Sequence, residues 1–280
     1  MSNDEKIKEL KRMAMRIRQD VVRTSRDCSE GVHVGGSVSM AEVLSVLFFE
    51  IARLDPKNPK WEERDRIILS KGHGNVGFSA AMARRGFFPL EELERFDMLD
   101  APLSMHVDKH RMPGVEISSG SLGHGLPVAV GVALGGKMDQ AAWRVYCILG
   151  DGELMEGSVW EAVMSAPHFR LDNLTAIVDR NRFSLDGPTE EIMALEPLEE
   201  NFKAFGWFVV QAVGHSVEDL LKAFNTKAPE GKPKVILANT IKGKGISFIE
   251  NTTASHFARF KPEQAEQALA ELEQSIAEIG

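Results

Sequence analysis

The chain has 280 residues, 43% of them hydrophobic, which is enough for one large domain with a substantial core. It has 33 Lys and Arg and 41 Asp and Glu, which gives a net charge of −8. The chain therefore has no excess of basic residues that would attract nucleic acid or an anionic membrane. These properties predict a single domain over residues 1–280 and a metabolic protein of the cytoplasm that binds neither nucleic acid nor membrane.

Two further features agree with a cytoplasmic protein. The charged N-terminus lacks the apolar core of a signal peptide, and no segment reaches the ~18 apolar residues of a membrane span. Cys28 and Cys147 lack metal-ligand spacing. We therefore expect two buried, reduced thiols and no disulfide.

Both ends of the chain predict helices. Apolar side chains recur at helical spacing within residues 4–27, from Ile7 to Val22, and this stripe is expected to pack on the sheet or on a partner. At the other end, residues 262–279 predict a terminal helix with one apolar face.

A glycine-rich loop over residues 31–39 contains His33. It precedes a predicted helix over residues 40–51, for which Ser39 is the expected N-cap. A single histidine in a loop is more often solvated than functional, so His33 does not identify a site on local grounds.

The short strand predicted over residues 66–70 leads into Gly72, Gly74 and Gly77, which satisfy the G-x-G-x-x-G pattern of a dinucleotide site. This pattern leaves open a Rossmann-type, NAD-binding oxidoreductase. Such a site needs an acidic residue about 20 positions on, at the end of a second strand. The acidic residues found there lie in residues 89–96, whose pattern is helical, and this favours another function.

Residues 101–125 predict a long loop. A structureless loop of this length in a compact domain is usually functional or disordered. Its concentration of glycine, together with His106 and Asp108, favours a functional loop.

A second phosphate-site pattern follows at Gly131-x₄-Gly136-Lys137. No predicted strand precedes it, and Met138 stands where the pattern needs Ser or Thr. We therefore interpret this segment as a buried helix.

A strand over residues 144–149, a helix over 154–169 and a strand over 174–179 form a crossover unit that places Asp151 and Asn181 after two parallel strands. Strands joined in this way bring their carboxyl ends to one edge of the sheet, where open α/β folds bind ligands. A Gly-Asp-Gly step alone is more often a plain strand-end turn. A neighbouring carboxylate and amide oxygen, however, suit Mg²⁺ that also holds phosphate oxygens.

The rest of the chain continues the alternation, with strands over residues 207–213 and 235–240 and helices over 197–205 and 217–225. This pattern predicts an α/β fold: a three-layer sandwich with a central, mostly parallel sheet and helices on both faces. The two lysines within residues 242–244 are either solvated or face a phosphate group, and the sequence favours the solvated interpretation.

The residues around Asp151 also carry a family resemblance. Three segments resemble the thiamine diphosphate signature of transketolases: Gly150-Asp151-Gly152-Glu153-Leu154-Met155-Glu156-Gly157, then Trp160-Glu161-Ala162, then the run from Val178 to Gly187. The similarity extends from about Asp20 to His256. It implies the thiamine diphosphate-binding fold and the transfer of a two-carbon ketol unit from a ketose, expected to be a sugar phosphate, to an aldose.

The resemblance also implies roles for residues at the strand ends. Asp151, Asn181 and the backbone carbonyl of Phe183 would hold Mg²⁺ against the cofactor diphosphate, with Gly152 beside them. Glu156 matches a family glutamate that relays charge across a dimer interface near the cofactor.

Further cofactor and substrate contacts are implied in the loops. Gly120 and Leu122 match residues that contact the aminopyrimidine of the cofactor. Neutral imidazoles can exchange protons with sugar hydroxyls near pH 7. Four histidines match such catalytic positions in the family: His33, His73, His106 and His256. His73 and His256 also match cofactor contacts.

Some positions depart from the family. Val32 and Val34 flank His33 in place of glycine and proline, and His124 stands where glutamine is common. These departures leave the sugar substrate unspecified.

In transketolases, the acid that activates the cofactor lies in a second domain, and this chain ends at Gly280, about where that domain would begin. The resemblance therefore implies the N-terminal subunit of a split transketolase, active with a C-terminal subunit that carries the pyrimidine-binding domain and the activating Glu. A heterotetramer of two small and two large chains is expected, with residues 7–22 and the Glu156 region as candidate contacts. A non-catalytic descendant that binds a partner but no cofactor is the remaining alternative.

Overall fold

The computed structural model describes residues 2–280. Its core is one five-stranded sheet with strand order β1-β2-β3-β5-β4, in which all neighbouring strands are parallel. The strands are β1 (Arg66–Leu69), β2 (Val145–Gly150), β3 (Leu174–Arg180), β4 (Phe208–Val213) and β5 (Lys234–Asn239). Each of the five predicted strands is confirmed, with ends that differ by at most one residue.

Ten α-helices lie within residues 2–280: α1 (Asn3–Asp27), α2 (Gly35–Val38), α3 (Ala41–Val46), α4 (Asn75–Arg85), α5 (Gly125–Met138), α6 (Gly157–His168), α7 (Thr189–Ile192), α8 (Leu198–Ala204), α9 (Val217–Asn225) and α10 (Pro262–Ile279). Shorter turns of 3₁₀ helix cover Gly72–Gly74, Leu90–Arg95, Gly152–Met155 and Thr253–Ser255, and a π-helical turn covers Leu47–Ile51. Helix and strand alternate along the chain, as the sequence predicts.

The helices cover both faces of the sheet, which confirms the three-layer arrangement. Side chains of β2 alternate between two separate cores: Tyr146 and Ile148 pack with α1, α3, α4 and α9, whereas Cys147 and Leu149 pack with α5, α6 and α8. Because both faces of the parallel sheet are covered, every residue of β2 is buried. The polar groups that follow the strands are left at the open carboxyl edge.

The apolar stripe of α1 is used within this chain. Leu10, Ile17 and Val21 are buried where α1 packs on α10, α3 and α4. Arg18 is also buried there and forms two hydrogen bonds with Glu42, at 2.6 and 2.7 Å. The expectation that this stripe contacts a partner is therefore wrong for its buried side chains.

Two helix boundaries and one helix type differ from the sequence prediction. Ser39 does not cap the helix over residues 40–51: α3 begins after Met40, and the Ser39 hydroxyl donates instead to Asp179 Oδ2 at 2.6 Å. The helix predicted to begin at residue 154 begins at Gly157, after a 3₁₀ turn. The segment 89–96 forms a 3₁₀ helix and not an α-helix.

Helix α5 is only partly buried, contrary to the prediction. Val128 and Met138 are exposed on its outer side. Cys28 and Cys147, in contrast, are buried free thiols, as predicted. Within residues 2–280, no helix combines the length and the apolar character needed to cross a membrane.

Candidate active site

The carboxyl edge of the sheet carries a cavity of 360 Å³. Strand register pairs Gly150 with Asp179, so the residues that follow, Asp151 and Asn181, lie side by side at this edge, as predicted. The cavity is lined by Gly150 at the end of β2 and by residues from six connecting segments: His33, Gly36, Lys71, His73, His106, Gly120, Leu122, Asp151, Gly152, Glu153, Met155, Asn181, Phe183, Ser184, Leu185, Asp186, Ile192, Lys242 and His256.

All but one of the predicted site residues line this cavity. The exception is Glu156, which is exposed outside it and lies next to Gly123, where an added Cβ would be 2.6 Å from the Glu156 Cβ. Glu156 therefore does not line the cavity in this chain. Its suggested role at an interface between subunits stays a prediction.

Four imidazole rings converge on one side of the cavity. The His33 ring centroid lies 5.6 Å from that of His73, 5.9 Å from that of His106 and 5.2 Å from that of His256. The buried His33 Nδ1 has no hydrogen-bond partner among the described residues. An unpaired buried polar atom of this kind is uncommon in folded proteins.

Electrostatics keep three of these rings neutral. Burial, with the charge of Lys242, lowers the pKa of His256 to about 3. Burial, with His106 and Lys242, lowers the pKa of His33 to about 4, and burial together with Lys71 places the pKa of His73 well below its ordinary value. At pH 7 these rings each have one nitrogen that can accept a proton and one that can donate.

Asp151 is buried and held from three sides. Its Oδ1 accepts from the Gly152 amide at 2.9 Å, and its Oδ2 accepts from the Arg182 amide and from Arg180 Nη1, the latter at 3.0 Å. Burial and the neighbouring carboxylate of Asp179 raise the pKa of Asp151 to about 6. A divalent cation at this place would offset both effects.

The oxygen atoms near Asp151 fit a magnesium ion. Asn181 Oδ1 accepts from the Phe183 amide at 3.1 Å, which fixes the side chain, and the Phe183 carbonyl lies beside Gly152. A Cβ added to Gly152 would lie 3.2 Å from Ser184 Cα, so a side chain there would narrow the space between the two loops. Carboxylate, amide and carbonyl oxygens are ligands that Mg²⁺ takes together with phosphate oxygens. Within residues 2–280, no three His, Cys, Asp or Glu side chains form a metal-holding cluster, so the fit rests on this mixed oxygen set.

Two lysines of the cavity were not among the predicted site residues. Lys71 Nζ donates to Asp179 Oδ2 at 2.5 Å and to the Gly36 carbonyl at 2.8 Å. Lys242 is buried, donates to the Ser184 carbonyl at 2.7 Å and lies 3.2 Å from His256 Nδ1. Burial and the charge of Lys71 lower the pKa of Lys242 to about 8.

The solvated interpretation of residues 242–244 is therefore wrong for Lys242. It fits Lys244, which is partly exposed and pairs with Glu250 at 3.0 Å. The sequence did contain a signal for the two cavity lysines. Lys71 and Lys242 each follow shortly after a strand, on the edge where Asp151 and Asn181 also lie.

Glu153 is a further cavity residue that sequence reasoning missed. It is buried, and its carboxylate accepts from Ser70 Oγ, from the Gly123 amide at 2.9 Å and from the Gly150 amide at 3.1 Å. These donors come from three different segments of the chain: the residue after β1, the last residue of β2 and the loop before α5. The carboxylate thus joins the ends of β1 and β2 to the long loop that carries Gly120 and Leu122.

Packing explains the glycines of the first nucleotide-site pattern, and the second pattern lies away from the cavity. A Cβ added to Gly72 would lie 2.7 Å from the Gly120 amide nitrogen, and one added to Gly77 would lie 2.8 Å from the Ser37 carbonyl oxygen. These glycines are needed for close contact between segments and do not form a dinucleotide loop. Lys137 lies near the end of α5 and pairs with Asp172 at 3.0 Å, away from the cavity, which agrees with the rejection of a phosphate loop.

A parallel sheet with helices on both faces, and with acidic, amide and imidazole groups at its carboxyl edge, defines an α/β protein of the class that binds its ligands at that edge. Residues 10–275 match the family described as "Transketolase, thiamine diphosphate binding domain". The chain belongs to the transketolase family.

Individual relatives agree with this assignment. The chain is 47% identical over 246 residues to the 6-deoxy-6-sulfo-D-fructose transketolase subunit SqwG of Clostridium sp. (strain MSTE9), covering 88% of this chain and 90% of the relative. It is 40% identical over 264 residues to one subunit of the apulose-4-phosphate transketolase of Actinobacillus succinogenes, covering 94% and 96%. Its fold matches the transketolase from Leishmania mexicana with a TM-score of 0.84 at 27% identity, over 98% of this chain but only 45% of the longer one.

Proposed function

We propose that this chain is the diphosphate-binding subunit of a transketolase that depends on thiamine diphosphate and Mg²⁺ and acts together with a separate C-terminal subunit. The observation that carries the proposal is the single cavity that unites Asp151, Asn181 and the Phe183 carbonyl with four imidazoles. The names of the two subunit relatives, which this chain matches over at least 90% of their lengths, support the same function.

The residues fit the proposed cofactor. Asp151, Asn181 and the carbonyl of Phe183 would hold Mg²⁺, and the ammonium of Lys242 together with His73 would meet the diphosphate oxygens. Bound thiamine diphosphate supplies a thiazolium carbon that can take up and pass on a two-carbon ketol unit. The protein's part is to bind, to orient and to move protons.

The imidazoles would perform the proton transfers. His33 and His256 are neutral at pH 7, with lowered pKa values, so each ring has one nitrogen that can donate to a sugar oxygen and one that can accept from a sugar hydroxyl. His106 lies on the same side of the cavity and would act on the same substrate. His33 and His256 both line the cavity, where such a hydroxyl would lie.

The acid that activates the cofactor would come from the C-terminal subunit. Within residues 2–280, three carboxylates line the cavity, and two are committed: Asp151 to the metal and Glu153 to its three donors. The third, Asp186, is exposed at the rim. We propose an assembly of two copies of each chain, located in the cytoplasm, that uses sugar phosphates of the pentose phosphate type.

The test is a titration of the purified two-chain complex with thiamine diphosphate, with and without Mg²⁺, followed by an assay of two-carbon transfer from a ketose phosphate to an aldose phosphate. The wild-type complex should bind the cofactor in a Mg²⁺-dependent manner. Asp151→Asn should weaken binding by more than ~100-fold, because a charged metal ligand is lost. Asp139→Asn removes the same charge from the exposed end of α5 and should leave binding unchanged.

Each alternative has its own outcome in this experiment. A complex that forms but binds no thiamine diphosphate would identify a non-catalytic descendant. Binding of NAD without binding of thiamine diphosphate would identify a Rossmann-type oxidoreductase. Equal cofactor affinity in Asp151→Asn and the wild type would overturn the metal assignment.

A further inference from the structure

The segment that brings Lys242 into the cavity is the turn over residues 240–245, here called the Lys242 turn. It follows β5 and is anchored by groups from other parts of the chain. The Gly243 amide donates to the Gly35 carbonyl at 3.2 Å, and the Asn251 amide donates to the Lys242 carbonyl at 2.7 Å. The Ile241 amide, next to Lys242, donates to the side chain of His215 at 2.8 Å.

His215 lies outside the cavity, in the loop between β4 and α9. The loop is pressed against the end of β5, because a Cβ added to Gly214 would lie 2.3 Å from Thr240 Cγ2 and the Gly214 amide donates to the Asn239 carbonyl at 2.8 Å. This close contact leaves the His215 ring facing the Ile241 amide. The ring therefore contacts Ile241, the residue that precedes Lys242 in the chain.

Two hydrogen bonds determine the tautomer of His215. A backbone amide can only donate, so His215 Nε2 must accept from Ile241 and carries no proton. The proton is then on Nδ1, which lies 3.0 Å from Glu42 Oε2 and donates to it. The neutral ring is thus held on both sides.

Glu42 is a strong acceptor for this ring. It is buried, yet Arg18 binds both of its oxygens at 2.6 and 2.7 Å. Although burial opposes its ionisation, Arg18 and His215 lower the pKa of Glu42 to about 2. A continuous path therefore runs from helix α1 through Arg18, Glu42 and His215 to the backbone of the Lys242 turn.

We propose that His215 is a positioning residue of the candidate active site, which fixes the Ile241 amide and thereby holds the Lys242 ammonium beside His256 and the Ser184 carbonyl. The role of the ammonium toward a diphosphate rests on the proposed function above. The effect of His215 on the Lys242 turn does not depend on any ligand.

Two substitutions separate the two hydrogen bonds of the ring. The side-chain oxygen of Gln reaches the place of Nε2, so His215→Gln can still accept from Ile241 but does not reproduce the Nδ1 donor. The amide nitrogen of Asn takes the place of Nδ1, so His215→Asn can still donate to Glu42 but leaves the Ile241 amide unpaired. Ser216→Ala is the matched control, because it removes the N-cap bond to Asp219 in the same loop and leaves Ile241 untouched.

The experiment measures hydrogen exchange at the Ile241 amide and thiamine diphosphate affinity in the two-chain complex for each variant. His215→Asn should accelerate exchange and weaken cofactor binding, each by about tenfold, the equivalent of one lost hydrogen bond. His215→Gln and Ser216→Ala should stay close to the wild type in both measurements.

If His215→Gln changed both measurements and His215→Asn changed neither, the ring would serve only Glu42, and the proposal would be overturned. Equal exchange in all variants would overturn it as well, and so would altered exchange with unaltered cofactor affinity. If the wild-type complex binds no thiamine diphosphate, the proposed function fails. In that case, the exchange at Ile241 still decides whether His215 fixes the turn.

Discussion

At the residue scale, the four imidazoles of the cavity have different surroundings. His73 lies near the ammonium group of Lys71. A Cβ added to Gly36 would lie 3.3 Å from Lys71 Nζ and 3.4 Å from His73 Nε2. His106 lies against Gly120, where an added Cβ would be 3.3 Å from the imidazole Cγ. On the proposed function, His73 would contact the diphosphate and His106 the substrate.

We therefore expect the histidine variants to separate binding from turnover. His33→Ala and His106→Ala should lower kcat by about 100-fold, as expected for lost proton transfer, and should change cofactor affinity by less than about threefold. His73→Ala should lower both. Steady-state kinetics and cofactor titration of the two-chain complex measure these effects, with His168→Ala on the exposed side of α6 as the control. Full ketol transfer by His106→Ala would remove the role assigned to that loop.

The low pKa values of His33 and His256 also affect stability. Both pKa values fall from 6.5 in the absence of the fold, to about 4 and about 3, so the unfolded chain takes up protons first as the pH is lowered. Stability should therefore fall between pH 6.5 and pH 4. Asp151 acts in the opposite direction, because its pKa is raised to about 6 and the folded state is protonated first.

Comparison of a histidine variant with the wild type isolates the histidine contribution to the pH dependence of stability, since Asp151 is present in both proteins. We expect the double variant His33→Gln/His256→Gln to lose less stability than the wild type between pH 6.5 and pH 4. Urea unfolding of the isolated chain at several pH values in this interval measures the difference. Identical pH dependence in the two proteins would mean that the imidazoles are not buried in neutral form.

At the scale of elements, two helices contain glycines with opposite surroundings. Gly77 in α4 faces Ser37, and a Cβ there would lie 2.8 Å from a carbonyl oxygen, whereas a Cβ on Gly131 in α5 would meet nothing within 4 Å. Gly77→Ala should destabilise the isolated chain by about 1–3 kcal/mol through overpacking. Gly131→Ala should stabilise it by about 1 kcal/mol, because alanine is the better helix former.

Denaturant unfolding of both variants tests whether the G-x-G-x-x-G pattern reflects packing. A loss of stability in Gly77→Ala would support packing as the reason for the first pattern, and a gain in Gly131→Ala would show that no contact requires glycine in the second. If Gly77→Ala kept full stability and instead altered the affinity for a dinucleotide, the oxidoreductase alternative would return.

The elements also differ in how far the sequence predicts them. The strands were predictable because each is a short apolar run, and the position of Asp151 and Asn181 followed from the rule that parallel strands end at one edge. The start of α3 was not predictable, because Ser39 is drawn away from the helix end by Asp179, 140 positions further along the chain. The burial of Lys242 likewise depends on the Ser184 carbonyl, 58 positions away, which no local pattern reveals.

At the scale of the whole molecule, the question is which surface meets the proposed C-terminal subunit. The apolar stripe of α1 is already buried against α10, α3 and α4. Exposed apolar side chains remain at the rim of the cavity, where Leu185 is 58%, Ile192 46% and Met193 61% exposed. Exposed apolar side chains beside an open site are typical of an interface. We therefore expect the second chain to cover this rim.

Association of the two chains should accordingly depend on Met193. The isolated chain should show no ketol transfer, because its cavity lacks the activating acid, and mixing with the C-terminal subunit should produce activity. Met193→Asp would place a charge in the covered rim and should weaken association by about tenfold or more. Leu99→Asp introduces the same charge at a side chain that is 90% exposed and does not line the cavity, so it should leave association unchanged.

Sedimentation of the mixed chains measures both the affinity and the stoichiometry, for which two copies of each chain are expected. Because the activity is proposed to require both chains at one site, ketol transfer should rise in parallel with complex formation as the C-terminal subunit is added. Met193→Asp should shift both curves to higher concentrations of that subunit without lowering the activity at saturation, since Met193 does not line the cavity. Full activity of the isolated chain would disprove the requirement for a partner, and equal affinity for the two Asp variants would place the interface elsewhere on the molecule.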